Sequence, residues 1–307
     1  MTEKSVVKKK KYTGPDLVFL AINYGIFALF TLICVYPFYY LIINTVSAND
    51  LSAAGLINFL PRGVHMRNYV DVLQLDGLSR AALVSLARTV LGTVCTVFAS
   101  AFLGFMFTQA ALWRRKLWYR VVMISMYFNA GLIPMYMTMY NLHLTDSFWV
   151  YVIPAIVQPF NIILVKTFME SLPPALQEAA EIDGAGVLRI FGQIVLPTAT
   201  PILATIAIFS AVGQWNSFQD TLLYVTQQKL YSLQYLLHSY INQANSLATL
   251  MRNSNGTGIN TASLATQQTP TSIRMTVSVI VVLPILFIYP IFQRYFTKGI
   301  MIGSVKG

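Results

Sequence analysis

Residues 171–197 read SLPPALQEAAEIDGAGVLRIFGQIVLP, and the rest of the chain is best understood outward from them. Pro173 and Pro174 suit the first turn of a helix, where a missing N–H leaves no hydrogen bond unmade. From Ala175 to Phe191 the pattern is helical. Ala179, Ile182, Val187, Ile190 and Phe191 are apolar, while Glu178, Glu181 and Asp183 are acidic. Gly184 and Gly186 weaken a single straight helix, so a bend or break is expected there. Ala179, Ala180, Gly184 and Ala185 form a patch of small residues that lets another protein surface approach closely. Pro197 then opens the next apolar segment.

On both sides of this stretch the chain is too apolar for water. Of its 307 residues, 56% are hydrophobic and 10% charged, and the mean hydropathy is +0.60. Soluble domains carry roughly 25% charged residues, and a chain of this length has too much surface to hide so many apolar side chains. Lipid removes the difficulty. A bilayer core takes about 20 apolar residues in helical form, and six stretches qualify: 17–43, 81–111, 119–140, 148–168, 195–223 and 275–297. The third is interrupted by Asn129, Gly131 and Pro134. The fold class expected is all-α, an integral membrane protein of six transmembrane helices. The basic N-terminus is read as leading into a retained first span, because its apolar run is too long for a signal-peptide core.

Charge sets the orientation. With the N-terminus inside, the inner side holds Lys4, Lys8 to Lys11, Arg114, Arg115, Lys116, Arg120, Lys166, Arg189, Arg294, Lys298 and Lys306. The outer side holds only Arg62, Arg67, Arg80, Lys229, Arg252 and Arg274, and Arg88 falls within a span. This is the positive-inside pattern, with both termini cytoplasmic. The net charge of +10 is thus an anchoring charge, and no basic stripe interleaved with aromatics points to nucleic acid. The domain reading is a cytoplasmic tail over 1–16 and a membrane domain over 17–307. The domain contains the inner loop 169–194 and a long outer loop, 224–274. The outer loop should carry a short surface helix at Leu230–Ile241 before a polar second half. Cys34 and Cys95 lie in apolar runs and pack as small hydrophobes, and the three histidines are too scattered to bind a metal.

The segment Glu178-Ala179-Ala180, three residues, Gly184, nine residues, Ile194, one residue, Leu196-Pro197 resembles the EAA loop of binding-protein-dependent ABC importer permeases, with every fixed position filled. Asn68-Tyr69, Gln214-Trp215-Asn216 and the ending Tyr295-Phe296-Thr297-Lys298-Gly299-Ile300 with Gly303 are similar to its carbohydrate branch, including the smaller maltose-transporter permease and permeases for polysaccharide fragments. Many relatives carry Asn-Ser where this chain has Val84-Ser85. The resemblance implies cytoplasmic coupling helices that dock on an ATPase subunit. Glu178, Ala179, Ala180, Asp183, Gly184, Ile194, Leu196 and Pro197 would carry the coupling. It also implies the partners: a second homologous permease, most simply a different chain, two ATPase subunits and an extracytoplasmic sugar-binding protein. ATP and Mg would sit on the ATPases, since this chain has no Gly-x-x-x-x-Gly-Lys-Ser/Thr phosphate loop. The long outer loop would reach toward the binding protein.

Polar groups in apolar spans are costly and therefore mark candidate pathway residues. Asn129, Gln158, Asn161, Gln214, Trp215 and Asn216 qualify. Trp215 offers a flat apolar face on which a sugar ring could stack. Each of the six equally suits a helix–helix hydrogen bond, worth about 0.6 kcal/mol in membrane proteins. Two other functional classes meet obstacles in this sequence. An ion-coupled transporter usually needs a carboxylate or histidine in mid-bilayer, and the nearest acid here, Asp220, is placed at the outer end of the fifth span. A membrane enzyme needs a nucleophile, base and orienter together, and no such set is visible.

Overall fold

The computed structural model describes residues 14–75, 77–253 and 269–299. Most of the expected N-terminal tail, the polar half of the outer loop from 254 to 268, and Ile300 and Gly303 of the C-terminal pattern lie outside them. The described residues form helices and connecting turns, without strands.

Helix α1, Gly14–Thr45, is one unbroken rod that buries only Ile43, Asn44 and Thr45. Apart from the half-buried Leu20 and Asn23, Leu17 through Phe38 are exposed. Such a surface is stable against hydrocarbon and not against water. At about 1.5 Å per residue the rod exceeds the bilayer core of about 30 Å. Two short helices, α2 (Asn49–Ala53) and α3 (Arg67–Leu73), follow. Asn68 Nδ2 donates to the Thr45 carbonyl at 2.9 Å and to Asn49 Oδ1 at 2.8 Å, and the Tyr69 hydroxyl meets Thr45 Oγ1 at 2.7 Å. The Asn-Tyr pair therefore fastens the end of α1.

Helix α4, Leu78–Met106, is the second continuous apolar rod and the axis of the bundle. It packs against α7 (Pro159–Glu170) and α11 (Thr200–Asn216). A Cβ on Gly104 would come within 2.8 Å of Val165 Cγ1, so only glycine permits the approach of α4 to α7. Helix α13, Leu233–Asn253, packs on α4 and on the last helix, α14, Pro270–Gly299. The short surface helix expected near Leu230–Ile241 is thus a longer one. Its Leu233 and Leu236 join Val72, Leu78, Ala81, Val277 and Val281 in one core cluster. Ser85, half of the departing Val84-Ser85 pair, accepts the Leu233 N–H at 2.8 Å.

The six apolar stretches do not all form single straight rods. Among the described residues, two helices are long and apolar enough to cross a bilayer, or up to four if each bent pair is one span. The third stretch splits into α5 (Arg115–Ser125) and α6 (Leu132–Asn141). Gly131 sits at φ +87°, and Asn129 Oδ1 takes the Gly131 N–H at 2.9 Å, which ends the helical ladder. In the fourth, two 3₁₀ turns (Phe148–Tyr151 and Ile153–Ala155) precede α7, with a bend of 43° between Pro154 and Pro159. In the fifth, the segment Val187–Thr198 meets α11 at 79°, and the separate helix α12, Gln219–Tyr224, ends it. Pro201, in the first turn of α11, opens the apolar rod. Pro197 belongs to the preceding turn, α10 (Leu196–Thr198), so the fifth apolar rod begins later than expected. These prolines lack the N–H that a straight helix requires.

Candidate functional site

Two places bring the candidate residues together, and α4 runs through both. The first is the inner loop. Helix α8, Ala175–Ile182, starts directly after Pro173 and Pro174 and ends in a turn where Gly184 adopts φ +76°. That left-handed conformation strains any residue with a Cβ. The Gly184 N–H donates to the Glu181 carbonyl at 3.0 Å and the Ala185 N–H to the Ala180 carbonyl at 2.9 Å, closing the turn. The chain re-enters α9 (Val187–Ile190), then a π turn over Phe191–Val195.

The motif is divided by burial. Ala180, Ile190, Phe191 and Val195 join Ala101 and Phe105 of α4, Val165 and Met169 of α7, and Ala199 and Ile206 in one core cluster, with Ile194 and Leu196 packed on it. The Phe191 ring lies 5.6 Å from Phe102 and 5.3 Å from Phe105. Glu178, Ala179, Asp183, Gly184 and Pro197 are exposed, as is Ile182, at 86%. One set anchors the loop to α4, and the other presents an acidic, small-residue ridge with an apolar tip. A crevice of about 180 Å³ behind α8 is lined by Thr108, Pro173, Pro174 and Leu176, among others.

The second place is a cavity of about 450 Å³ between α4, α6, α7, α11 and α12. Three of the six candidate pathway residues line it: Gln158, Asn161 and Gln214. The other three do not. Asn129 caps the break before α6. Trp215 donates its indole N–H to the Val281 carbonyl at 3.0 Å and packs toward α14. Asn216 accepts from Gln234 Nε2 at 3.1 Å, tying α11 to α13.

The cavity's polar wall centres on Arg88, which is 1% exposed. Its Nε and Nη2 donate to Gln214 Oε1 at 3.1 and 2.9 Å, and its Nη1 to Asp220 Oδ1 at 3.0 Å and to the Ser217 carbonyl at 3.4 Å. Arg88 Nη2 also pairs with Asp220 Oδ2. The guanidinium lies 4.4 Å from the centroid of the Tyr151 ring. Gln214 Nε2 in turn donates to the Tyr151 carbonyl at 3.0 Å. A Cβ on Gly92, one turn beyond Arg88, would fall 2.6 Å from that amide nitrogen. Guanidinium, carboxylate, amide and phenol ring thus satisfy one another, which is how a buried charge becomes tolerable. Sequence reasoning missed Arg88 and Asp220 as site residues. The signal was a charge inside an apolar span, which needs a partner. That partner is 132 residues away.

A third feature joins the turn before Phe148 to the turn after Tyr224. Asp146, at φ +54°, accepts from the Thr226 hydroxyl at 2.7 Å and from the Thr226 and Gln227 backbone N–H groups at 2.6 and 3.0 Å. These bonds, the hydroxyl's first, hold its carboxyl below the usual carboxylate range.

Comparison with known proteins agrees with this architecture. Residues 96–302 match the family described as "Binding-protein-dependent transport system inner membrane component". The chain is 32% identical to the polygalacturonan/rhamnogalacturonan transport system permease protein YtcP of Bacillus subtilis, over 92% of this chain and 96% of that protein. It is 34% identical to Protein LplC of the same organism, over 90% of each. The fold matches a chain in the crystal structure of a bacterial ABC transporter that imports the acidic polysaccharide alginate. The TM-score is 0.81 at 25% identity, covering 94% of this chain and 100% of that one. The family match spans more than half of the sequence and the relatives align along nearly all of it, so this chain belongs to the inner membrane components of binding-protein-dependent ABC importers and is a permease subunit, not an enzyme.

Proposed function

We propose that this permease carries a sugar or oligosaccharide into a bacterial cell, pairs with a different homologous permease, and is driven by two ATPase subunits that dock on Glu178 to Gly184. The observation that carries this reading is the sharing of α4. Ala101 and Phe105 pack on the inner loop, and Arg88, in the same unbroken helix, forms the polar wall of the cavity. The two are about 20 Å apart at 1.5 Å per residue. A rigid helix transmits displacement at one end to the other. When the ATPases close on ATP and Mg, which they and not this chain bind, the exposed ridge of α8 moves with them. The buried half of the motif moves α4, and the cavity changes its access.

Gln158 and Asn161 then face a cavity that opens and closes, and hydroxyl-rich ligands suit such amides, which both donate and accept, while Gln214 is held by Arg88 and the Tyr151 carbonyl. The named cargoes of the relatives, polygalacturonan, rhamnogalacturonan and alginate, are carbohydrates. The N-terminus, inner loop 169–194 and C-terminus lie in the cytoplasm in this reading, and the loop 224–274 faces the sugar-binding protein outside.

Co-purification from native membranes tests it. A second permease, an ATPase and a carbohydrate-loaded binding protein are expected together. Recovery with a binding protein that carries a non-carbohydrate ligand would overturn the cargo. Cysteine labels placed at 116 and 185 should be shielded from outside reagents, and labels at 65 and 250 should react. Outside labelling at 185 would overturn the orientation.

A further inference from the structure

Helix α5 is amphipathic, yet none of its 11 residues is buried. At about 100° per residue, Arg115, Tyr119 and Val122 share the side turned to the bundle and are half-buried. Arg115 Nη1 donates to the Thr108 carbonyl at 2.7 Å, and Tyr119 packs between Phe107 and the Lys166 ammonium, 4.4 Å from its ring. Leu117, Trp118, Val121 and Ile124 turn outward and stay about half exposed. In water an amphipathic helix hides its apolar face; here that face points away from the protein.

A basic edge borders it. Arg114, Lys116 and Arg120 are all exposed, and Arg114 lies 4.7 Å over the ring of Trp113, itself 67% exposed. The sequence holds no Asp or Glu between Asp76 and Asp146, so no acid on this segment neutralises the edge. Lys166, the nearest basic residue of α7, is already paired with Glu170 at 2.6 Å. Apolar residues, indoles and exposed cations thus lie side by side, matching acyl chain, interface and headgroup.

We infer that Trp113, Arg114, Lys116, Trp118 and Arg120 form a docking surface for anionic phospholipid headgroups, in the leaflet on the side of the inner loop. Thr108, which fixes Arg115, also lines the crevice behind α8, so the surface adjoins that loop. Juxtamembrane cations attract anionic lipid with about fivefold in affinity each, and the attraction weakens as salt screens it.

The intact transporter, with its partner subunits, is equilibrated in detergent with equal phosphatidylglycerol and phosphatidylcholine, and bound lipid is counted by native mass spectrometry. The variant R114Q/K116Q/R120Q should lose bound phosphatidylglycerol by up to about a hundredfold, with phosphatidylcholine unchanged. The charge-keeping variant R114K/R120K should retain it. Equal phosphatidylglycerol binding by parent and triple variant would overturn the inference. So would loss of the ATPase subunit from the triple variant with lipid binding intact, since the surface would then belong to a protein contact.

Discussion

Arg88 on α4 and Asp220 on α12 form an ion pair that closes one wall of the central cavity, with the guanidinium stacked over Tyr151 and both nitrogens of its remaining edge on Gln214. Removing one partner strands the other in a site of low polarity. Asp220→Ala should therefore destabilise the protein by about 3–5 kcal/mol. The double variant Arg88→Met/Asp220→Leu should recover much of that loss, because no charge is left unpaired. Thermal unfolding of the two variants in detergent checks this. Equal melting points for the single and double variants would mean that the pair, as a pair, contributes nothing.

Gly92 holds open the space that Gln214 occupies. A methyl group there meets the amide nitrogen at 2.6 Å and displaces the side chain, drawing Oε1 away from Arg88 and Nε2 away from the Tyr151 carbonyl. Gly92→Val should cost about 1–3 kcal/mol through overpacking and lower transport at temperatures where the fold persists. Gln214→Ala in the same background should relieve the clash while leaving Arg88 short of an acceptor. The overpacking penalty should thus shrink in a double-mutant cycle on thermal stability.

At Gly184 the constraint is conformational and not spatial, since a Cβ there touches nothing within 4 Å. Asparagine tolerates the left-handed region better than branched residues do. Gly184→Asn should keep the turn, whereas Gly184→Val should distort it by about 1–2 kcal/mol. Gly184→Asp adds a charge to the proposed ATPase dock and should abolish transport while leaving membrane insertion intact. Binding-protein-stimulated ATP hydrolysis in lipid discs ranks the three. Normal stimulation in the aspartate variant would remove Gly184 from the docking surface.

Asp146 ties the turn before Phe148 to residues 226 and 227. Its folded pKa lies below the usual value, so its stabilising effect is complete above the unfolded value near 4. The effect is lost only as pH falls through the lower folded value. The lock should therefore persist at pH 5 and weaken in stronger acid, and Asp146→Asn should weaken it at every pH. Hydrogen exchange of the Thr226 and Gln227 amides, corrected for intrinsic rates, measures it. Unchanged protection in Asp146→Asn would show that the backbone bond from the residue 146 N–H to the Tyr224 carbonyl, 2.9 Å long, suffices.

The sequence by itself determined the solvent, the helical class and the EAA pattern, because composition and fixed local spacing carry them. Pro173, Pro174 and Gly184 announced where α8 starts and stops, since backbone geometry at those residues is a local property. The breaks at Asn129–Gly131 and around Pro154 and Pro201 were present as residues, but whether each kinks a span or ends it depends on neighbouring helices. That is why the residues point to interruptions without giving the bends of 43° and 79° that the packed helices adopt. The polar candidates were sorted only by packing. Gln158, Asn161 and Gln214 turn into one cavity, while Trp215 and Asn216, adjacent to Gln214, turn to α14 and α13, because successive helical residues point about 100° apart. Arg88 and Asp220 were each visible, but their pairing joins positions 132 residues apart. Only tertiary structure brings them together, because burial of a guanidinium is affordable solely where the fold supplies a carboxylate.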